Sequence, residues 1–292
     1  MTELYKPIGI PIVGTGSQPG EQGDENFSFM GSPGAMPTYN PPPLPEPEEM
    51  AGLTAGLALL NDILAAIRRY QAGAPAIRID LSTLDQPNRE LIDQILNEGE
   101  VSVVCEQDRA VQIQESVLTG IWRVREYNEA RQLLSDVVEV ADIPSVVREQ
   151  TFSRADALDT GTEHLPPGVL NAPSLLTELD EQIRQWQPGN KAHVINLSLL
   201  PLSQEDLNFL GERLGVGPIT ILSRGYGNCR IGSTGKANVW WVKFYNSEDL
   251  LILNTIEVID VPEVAKAAPE DLQESAERLQ EILAIYDSEV TK

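Results

Sequence analysis

The chain has 292 residues, with 44 acidic against 21 basic side chains, a formal net charge of −23 and a pI near 4.4. Binding to nucleic acids or anionic membranes needs clustered Lys and Arg, so this balance argues against both. The apolar share of 41% suffices for a core, and no apolar run reaches the roughly 20 residues of a membrane span. We find no signal-peptide pattern and expect a cytoplasmic protein without membrane insertion.

The sequence contains few of the residues and motifs that are typical of active sites. Cys105 and Cys229 lie far apart in sequence, and His164 and His193 have no further ligands at metal-binding spacing. Motifs such as HExxH, GxSxG, GxGxxG and the P-loop are all missing from the sequence. The sequence therefore predicts no catalytic residue, no metal site and no cofactor.

The first 50 residues form a Pro/Gly-rich arm. They hold 10 of the 21 prolines and 7 of the 22 glycines, together with seven acids and one lysine. Proline fixes φ and lacks an N–H, so we expect an extended segment here. A disordered tail and a recognition arm both remain open, because the arm also carries the apolar residues Phe27, Phe29, Met30, Met36 and Tyr39.

The remainder of the chain is an internal duplication. Residues 59–82 match residues 175–198 with 10 identities in 24 columns, and residues 99–146 match residues 217–264 with 12 in 48. The offset is 116 in the first match and 118 in the second. Trp122 and Trp240 are equivalent under the second offset. Such self-similarity is the mark of a repeated structural module, here of about 100 residues.

Each module is predicted to contain two helices and several antiparallel strands. Leucine spacing over Leu53–Ile67 predicts the first helix, and Ser203 with Asp206 predicts a capping box at the second helix of the second copy. Gly99 and Gly217 are predicted to end these second helices in a left-handed conformation. The predicted strands are Ile77–Leu81, Val101–Cys105, Val111–Ser116, Ile121–Tyr127 and Val137–Val140, with Val194–Leu197, Ile219–Leu222, Cys229–Gly232, Val239–Tyr245 and Asn254–Ile259 as their counterparts.

The predicted fold class is α+β, with two helix-flanked antiparallel sheets. The first module covers residues 51–150 and a linker covers residues 151–173. The second module covers residues 174–292 and includes a C-terminal helix that starts at Pro269.

Segments in which the two copies differ are the best candidates for function. Residues 224–235 contain four glycines, and their first-copy counterpart contains none. Arg224, Tyr226 and Arg230 of this segment are candidate partner-binding residues, although tight turns alone would explain the glycines. Cys229 is a further candidate partner-binding residue if its thiol is exposed, although an inert thiol is equally compatible with the sequence. Trp241 replaces Arg123 on the alternate strand face, where an exposed tryptophan would indicate a partner surface, and it is a further candidate partner-binding residue.

An ordered set of motifs identifies a family. It comprises Gly14-Thr-Gly-Ser-Gln-Pro19, Gly99-Glu-Val, Gly120-Ile-Trp-Arg-Val124, Gly225-Tyr-Gly, Val239-Trp, Ile256-Glu-Val-x-x-Val-Pro-Glu-Val264 and Ala268-Pro-Glu-Asp-Leu272. Over residues 8–284 the chain resembles the HupH/HyaF/HoxQ family of accessory proteins for [NiFe]-hydrogenase maturation. The resemblance implies a cytoplasmic, non-enzymatic chaperone. Its client would be the iron–sulfur small subunit before twin-arginine export, alongside a thioredoxin-like accessory protein.

Two other functions stay open at this point. One is an iron–sulfur scaffold or thiol-redox factor for the same subunit, although two non-equivalent cysteines are too few for a four-ligand cluster. The other is an enzyme acting on a small acidic or nucleotide substrate, which the missing motifs and the negative charge disfavour.

Overall fold

The computed structural model describes residues 52–107, 110–224 and 228–287. The Pro/Gly-rich arm and Tyr226 lie outside the described residues, so the expectations placed on them stay predictions. The first repeat forms α1 (Thr54–Arg69), β1 (Ile77–Asp80), α2 (Gln86–Leu96), β2 (Val101–Glu106), β3 (Ala110–Glu115), β4 (Ile121–Tyr127), β5 (Leu133–Val140) and α3 (Ser145–Gln150). The second repeat forms α4 (Ala172–Gln185), β6 (His193–Asn196), α5 (Gln204–Leu214), β7 (Ile219–Ser223), β8 (Asn228–Ser233), β9 (Val239–Tyr245), β10 (Leu251–Val258) and α6 (Pro269–Asp287).

All ten strands belong to one antiparallel sheet, in the order β1-β5-β4-β3-β2-β7-β8-β9-β10-β6. The expectation of two separate sheets is therefore corrected. The sheets of the two repeats join because β2 pairs with β7, from Val101 opposite Ser223 to Cys105 opposite Ile219. This pairing satisfies backbone groups that two free edges would expose. The α+β class and the duplication are confirmed, because each repeat contributes the same strand order.

Local sequence signals explain where several helices begin. Ser203 and Asp206 form the predicted capping box: the Ser203 hydroxyl accepts the Asp206 N–H at 3.0 Å, and the Asp206 carboxylate accepts the Ser203 N–H at 3.1 Å. In the first repeat, Asp85 caps α2 by accepting the Asn88 N–H. These caps satisfy N–H groups that have no partner inside the helix.

The ends of α2 and α5 differ from the prediction. The left-handed residues are Asn97 and Gly215, two positions before the glycines that we expected there. Gly99 and Gly217 are instead required by close backbone packing. A Cβ at Gly99 would lie 2.2 Å from the Ser116 carbonyl oxygen, and one at Gly217 would lie 2.5 Å from the Thr234 carbonyl oxygen.

Helices cover the outer strands of one sheet face. α1, α2 and α6 form a core with Ile121, Val138 and Val140 in the first repeat. α4 and α5 form the corresponding core with Val239 and Ile256 in the second repeat. α6 follows the second repeat in the chain, yet it packs against α1 of the first repeat. The two repeats are thus tied together by this helix as well as by the sheet.

The segment expected to be a linker, residues 151–173, contacts the second repeat. Asp156 forms a bridge with Lys236 and an ion pair with its ammonium group. The N–H groups of Leu170, Asn171 and Ala172 all donate to one oxygen of Asp206, at 2.8 to 2.9 Å.

The opposite sheet face carries a third core that spans both repeats. Trp122 and Trp240 are fully buried in it at equivalent positions, as predicted. The Trp122 Nε1–H donates to the Ala141 carbonyl at 2.9 Å, and the Trp240 Nε1–H donates to the Asp260 carbonyl at 3.1 Å. Each indole therefore holds the segment that follows the last strand of its repeat.

Replacing Trp122 or Trp240 by Ala should lower the free energy of unfolding by about 3–5 kcal/mol, because each change leaves a large cavity and an unpaired carbonyl. Urea denaturation followed by circular dichroism measures this loss. Replacement of the half-exposed Leu134 by Ala is the control and should change stability little. A tryptophan variant that unfolds at the wild-type urea concentration would contradict the equivalence of the two sites.

Candidate functional site

The structure places the four described candidate partner-binding residues in different environments. Arg224 is exposed where β7 ends, and its N–H donates to the Glu100 carbonyl at 3.1 Å. Arg230 is half-buried on β8. Tyr226 lies outside the described residues.

Trp241 and Cys229 are both buried, on opposite faces of the sheet. Trp241 would have to be exposed to bind a partner, but α4 and α5 cover its face and its Nε1–H donates to the Asn254 side chain. Cys229 lies in the core that spans both repeats. Neither side chain is available at the surface for a partner.

The two thiols are held in their neutral form. Burial raises the pKa of Cys105 to about 11 and that of Cys229 to about 12, with nearby Glu106 and Glu257 acting in the same direction. Cys105 lies opposite Ile219 on β7 and Cys229 lies opposite Ser223, so about 13 Å of strand separates their rows. A disulfide between them is out of reach.

We expect both thiols to react with Ellman's reagent roughly a hundredfold more slowly in the native protein than in denaturant, because burial suppresses the thiolate. Stopped-flow absorbance on the wild type and on Cys105→Ala and Cys229→Ala variants assigns each phase. Rapid native labelling of Cys229 would restore it as a functional thiol.

No group of three or more His, Cys, Asp or Glu side chains within the described ranges is arranged to hold a metal ion. His193 contacts Glu178 at 2.7 Å on the exposed surface. In the same part of the chain, no helix is long and apolar enough to cross a bilayer. A cleft of about 390 Å³ opens where β2 meets β7, lined in part by Val104, Thr220 and Arg230.

The most strongly perturbed carboxyl group is Glu115. Burial raises its pKa to about 7, against the hydrogen bond that it accepts from the Gly120 N–H at 3.2 Å. Its counterpart, Ser233, bonds to both backbone groups of Ile219 instead. The cleft does not include Glu115, so we assign this carboxyl group to the turn after β3 rather than to a reaction.

Two surfaces stand out when the repeats are compared, and the first is the centre of the helix-bearing sheet face. Among the described residues, no helix covers β2, β3, β7 and β8 on this side, and the floor that they form is partly polar and partly apolar. We call it the central floor; it consists of Ser102, Val104, Gln112, Thr220, Leu222, Arg230 and Lys243.

In the first repeat, the cations beside the central floor are neutralised. Arg123 forms ion pairs with Asp93 at 2.9 Å and with Asp136, and Arg125 lies within 3.7 Å of the same two carboxylates. A network of two cations and two anions is balanced in charge.

In the second repeat, the same positions lack this balance. Gly211 and Asn254 replace the two aspartates. Lys243 retains a positive charge at the position of Arg125, and Arg230 replaces Gln112. Arg230 and Lys243 lie directly opposite each other across β8 and β9. No described carboxylate forms an ion pair with either of them, and burial together with Arg230 lowers the pKa of Lys243 to about 8.

The second surface is the outer edge of the second repeat. Val194, Leu199, Leu250 and Ile252 are each at least half exposed along this edge, and we call them the second-repeat edge. The counterparts of Val194 and Leu250 are the polar residues Arg78 and Gln132. Leu199 belongs to a connection that is two residues longer than the corresponding one in the first repeat.

Glu257 on this edge lacks the hydrogen-bond and ion-pair partners that its first-repeat counterpart, Glu139, has. In the first repeat, Glu139 accepts the N–H and the hydroxyl of Ser145, both at 2.8 Å, and pairs with Arg78 at 3.3 Å. In the second repeat, Val194 and Glu263 occupy the positions of Arg78 and Ser145. Burial raises the pKa of Glu257, the hydrogen bond that it accepts from the Thr255 hydroxyl at 3.3 Å opposes this rise, and Glu263 adds to it.

A model of the HupH hydrogenase expression protein C-terminal conserved region matches the chain twice, over residues 53–166 and 169–286. The chain belongs to this family. The double match follows the duplication seen in the sheet. Family membership supports a role in hydrogenase maturation.

Similar proteins cover nearly the whole chain. Hydrogenase expression/formation protein HoxQ of Cupriavidus necator is 46% identical over 95% of this chain and 96% of its own length. HupQ of Azotobacter chroococcum is 44% identical over 93% and 96%, and HupH of Rhodobacter capsulatus is 43% identical over 95% and 96%.

Sequence reasoning missed Lys243 and the second-repeat edge. Both could have been found by comparing the repeats residue by residue, because the alignment shows a cation that loses its aspartates and polar residues that are replaced by apolar ones. The pairing of those residues in space is not visible there.

Proposed function

We propose that this protein is a non-catalytic, cytoplasmic chaperone that binds the iron–sulfur small-subunit precursor of an uptake [NiFe]-hydrogenase before twin-arginine export. A thioredoxin-like accessory protein would act alongside it. The observation that carries the proposal is the second-repeat edge, where apolar and acidic groups meet beside an open strand. Family membership supplies the maturation role.

The open strand is the first half of β10. The pairing of β6 with β10 ends at Thr255, so the outer side of Leu251–Leu253 has no strand partner among the described residues. Backbone groups on such an edge can pair with an extended segment of another protein. The exposed side chains of Leu250 and Ile252 then offer contacts to the apolar residues of that segment.

The acidic residues at this edge favour a bound segment that carries positive charge. Glu248 and Asp249 are exposed directly before Leu250, and Glu257 lies opposite Val194. A segment with basic residues next to apolar ones matches this arrangement, and a twin-arginine signal has that composition. The net charge of −23 adds a long-range attraction that speeds encounter.

The cysteines give no support to the iron–sulfur scaffold or thiol-redox alternative. Both are buried with raised pKa values and lie on separate rows of the sheet. A cluster held by thiolates would need both to be ionised and accessible.

Replacing Ile252 by Asp should weaken precursor binding by roughly tenfold, or about 1.4 kcal/mol, because it places a charge in an apolar contact. Surface-plasmon resonance with immobilised precursor measures the dissociation constant. Leu134→Asp, at the equivalent position of the first repeat, is the matched control and should bind normally. Equal weakening by both variants would remove the second-repeat edge as the client surface, and absence of any wild-type binding would refute the chaperone proposal.

Binding should also weaken with acid. Glu257 has a raised pKa, so it loses its charge at a higher pH than an ordinary glutamate as the solution is acidified. Its attraction for a client arginine disappears over that range. A Glu257→Gln variant should bind less tightly at neutral pH and should show a flatter pH profile than wild type. A signal-less precursor that binds with the same affinity and pH profile would show that the signal is not the contacted segment.

A further inference from the structure

The central floor contains an arrangement that costs the fold stability. Arg230 and Lys243 are directly opposite each other on neighbouring strands, and like charges in this position destabilise a sheet. Both side chains are half-buried, and the Lys243 ammonium lies 5.1 Å from the centre of the Trp241 ring. The protein has an excess of 23 negative charges, yet no described carboxylate lies within ion-pair distance of either side chain, although Glu106 lines the same cleft as Arg230.

The duplication shows that the fold does not need this arrangement. The first repeat has Gln112 in place of Arg230, and it compensates Arg125, the counterpart of Lys243, with two aspartates. A fold requirement would apply to both halves of the sheet. The uncompensated pair is therefore better explained by an anionic group that binds to it.

The surroundings of the pair define the kind of ligand. Val104 and Leu222 are half-buried on the floor and belong to none of the three cores. The floor runs between the helices of the two repeats, so it admits an extended chain. A ligand that satisfies it carries carboxylates close to apolar side chains.

We propose that the occupant is the protein's own N-terminal arm, and specifically residues 21–30. This stretch places Glu21, Asp24 and Glu25 next to Phe27, Phe29 and Met30. Its acids complement Arg230 and Lys243, and its apolar side chains complement Val104 and Leu222.

The arm is long enough and enters from the correct side. It joins α1, which packs on the same sheet face above β1 and β5. Five strand spacings, or about 24 Å, separate β5 from β8. The residues between Met30 and α1 can span about 70 Å in an extended proline-rich conformation, which exceeds that distance.

Zero-length crosslinking of the full chain tests the proposal. A water-soluble carbodiimide joins a lysine to a carboxylate only when the two are in contact. We expect Lys243 to be joined to Glu21, Asp24 or Glu25 in peptides identified by mass spectrometry. The exposed Lys191 is the control that shows whether the reagent couples lysine side chains in the sample.

A mixture of unlabelled and ¹⁵N-labelled chains identifies the source of the arm. Crosslinked peptides that contain only one isotope show that the arm binds within its own chain. Mixed-isotope peptides would show binding to a second copy and would overturn the proposal. Crosslinks from Lys243 to another acidic segment, or none at all while Lys191 reacts, would overturn it too.

Acetylation kinetics provide a second measurement on the same lysine. A variant with Glu21→Gln, Asp24→Asn and Glu25→Gln should expose Lys243 and raise its acetylation rate several-fold, while Lys191 keeps its wild-type rate. Equal Lys243 rates in the two proteins would contradict an acidic cover. Neither measurement involves a hydrogenase subunit, so the result is independent of the proposed client.

Discussion

The antiparallel pairing of β2 with β7 is the interaction on which the rest of the molecule depends. It places one strand of each repeat at the centre of a single sheet, and it brings Val103 and Ile221 into one core with Trp122 and Trp240. Without it, each repeat would present an apolar strand with unpaired backbone groups to solvent. α6 strengthens the same union, because it leaves the second repeat and packs on the helices of the first.

This pairing also decides which surfaces stay open. α1 and α2 pack over the outer strands of the first repeat, and α4 and α5 pack over those of the second. Joining the repeats at β2 and β7 therefore leaves the central floor without a covering helix in the described part of the chain. The opposite ends of the sheet become the two free edges. Function in this fold is therefore expected at its centre and its ends, where the packing of one repeat does not extend.

Duplication lets the structure serve as its own control. A position whose residue differs between the repeats, while the backbone stays the same, is not restricted by the fold to one residue type. Two such differences alter electrostatics. Arg125 is balanced by aspartates whereas Lys243 is not, and Glu139 is held by Arg78 and Ser145 whereas Glu257 faces Glu263 and an apolar neighbour. Both leave a charge in the second repeat without the partner that its counterpart has.

The sequence by itself determined the repeat, the order of its strands and of every helix except α3, the capping box at Ser203 and the equivalence of Trp122 and Trp240. These follow from periodicity, propensity and self-similarity, which are properties of neighbouring residues along the chain. Only the tertiary structure decided that the two sheets are one, that Trp241 is covered by helices, that α6 crosses to the first repeat and that Arg230 faces Lys243. The alternation of apolar and polar residues along a strand shows that it has two different faces. Which strand pairs with it, and which helix or core covers each face, depends on residues far away in the chain.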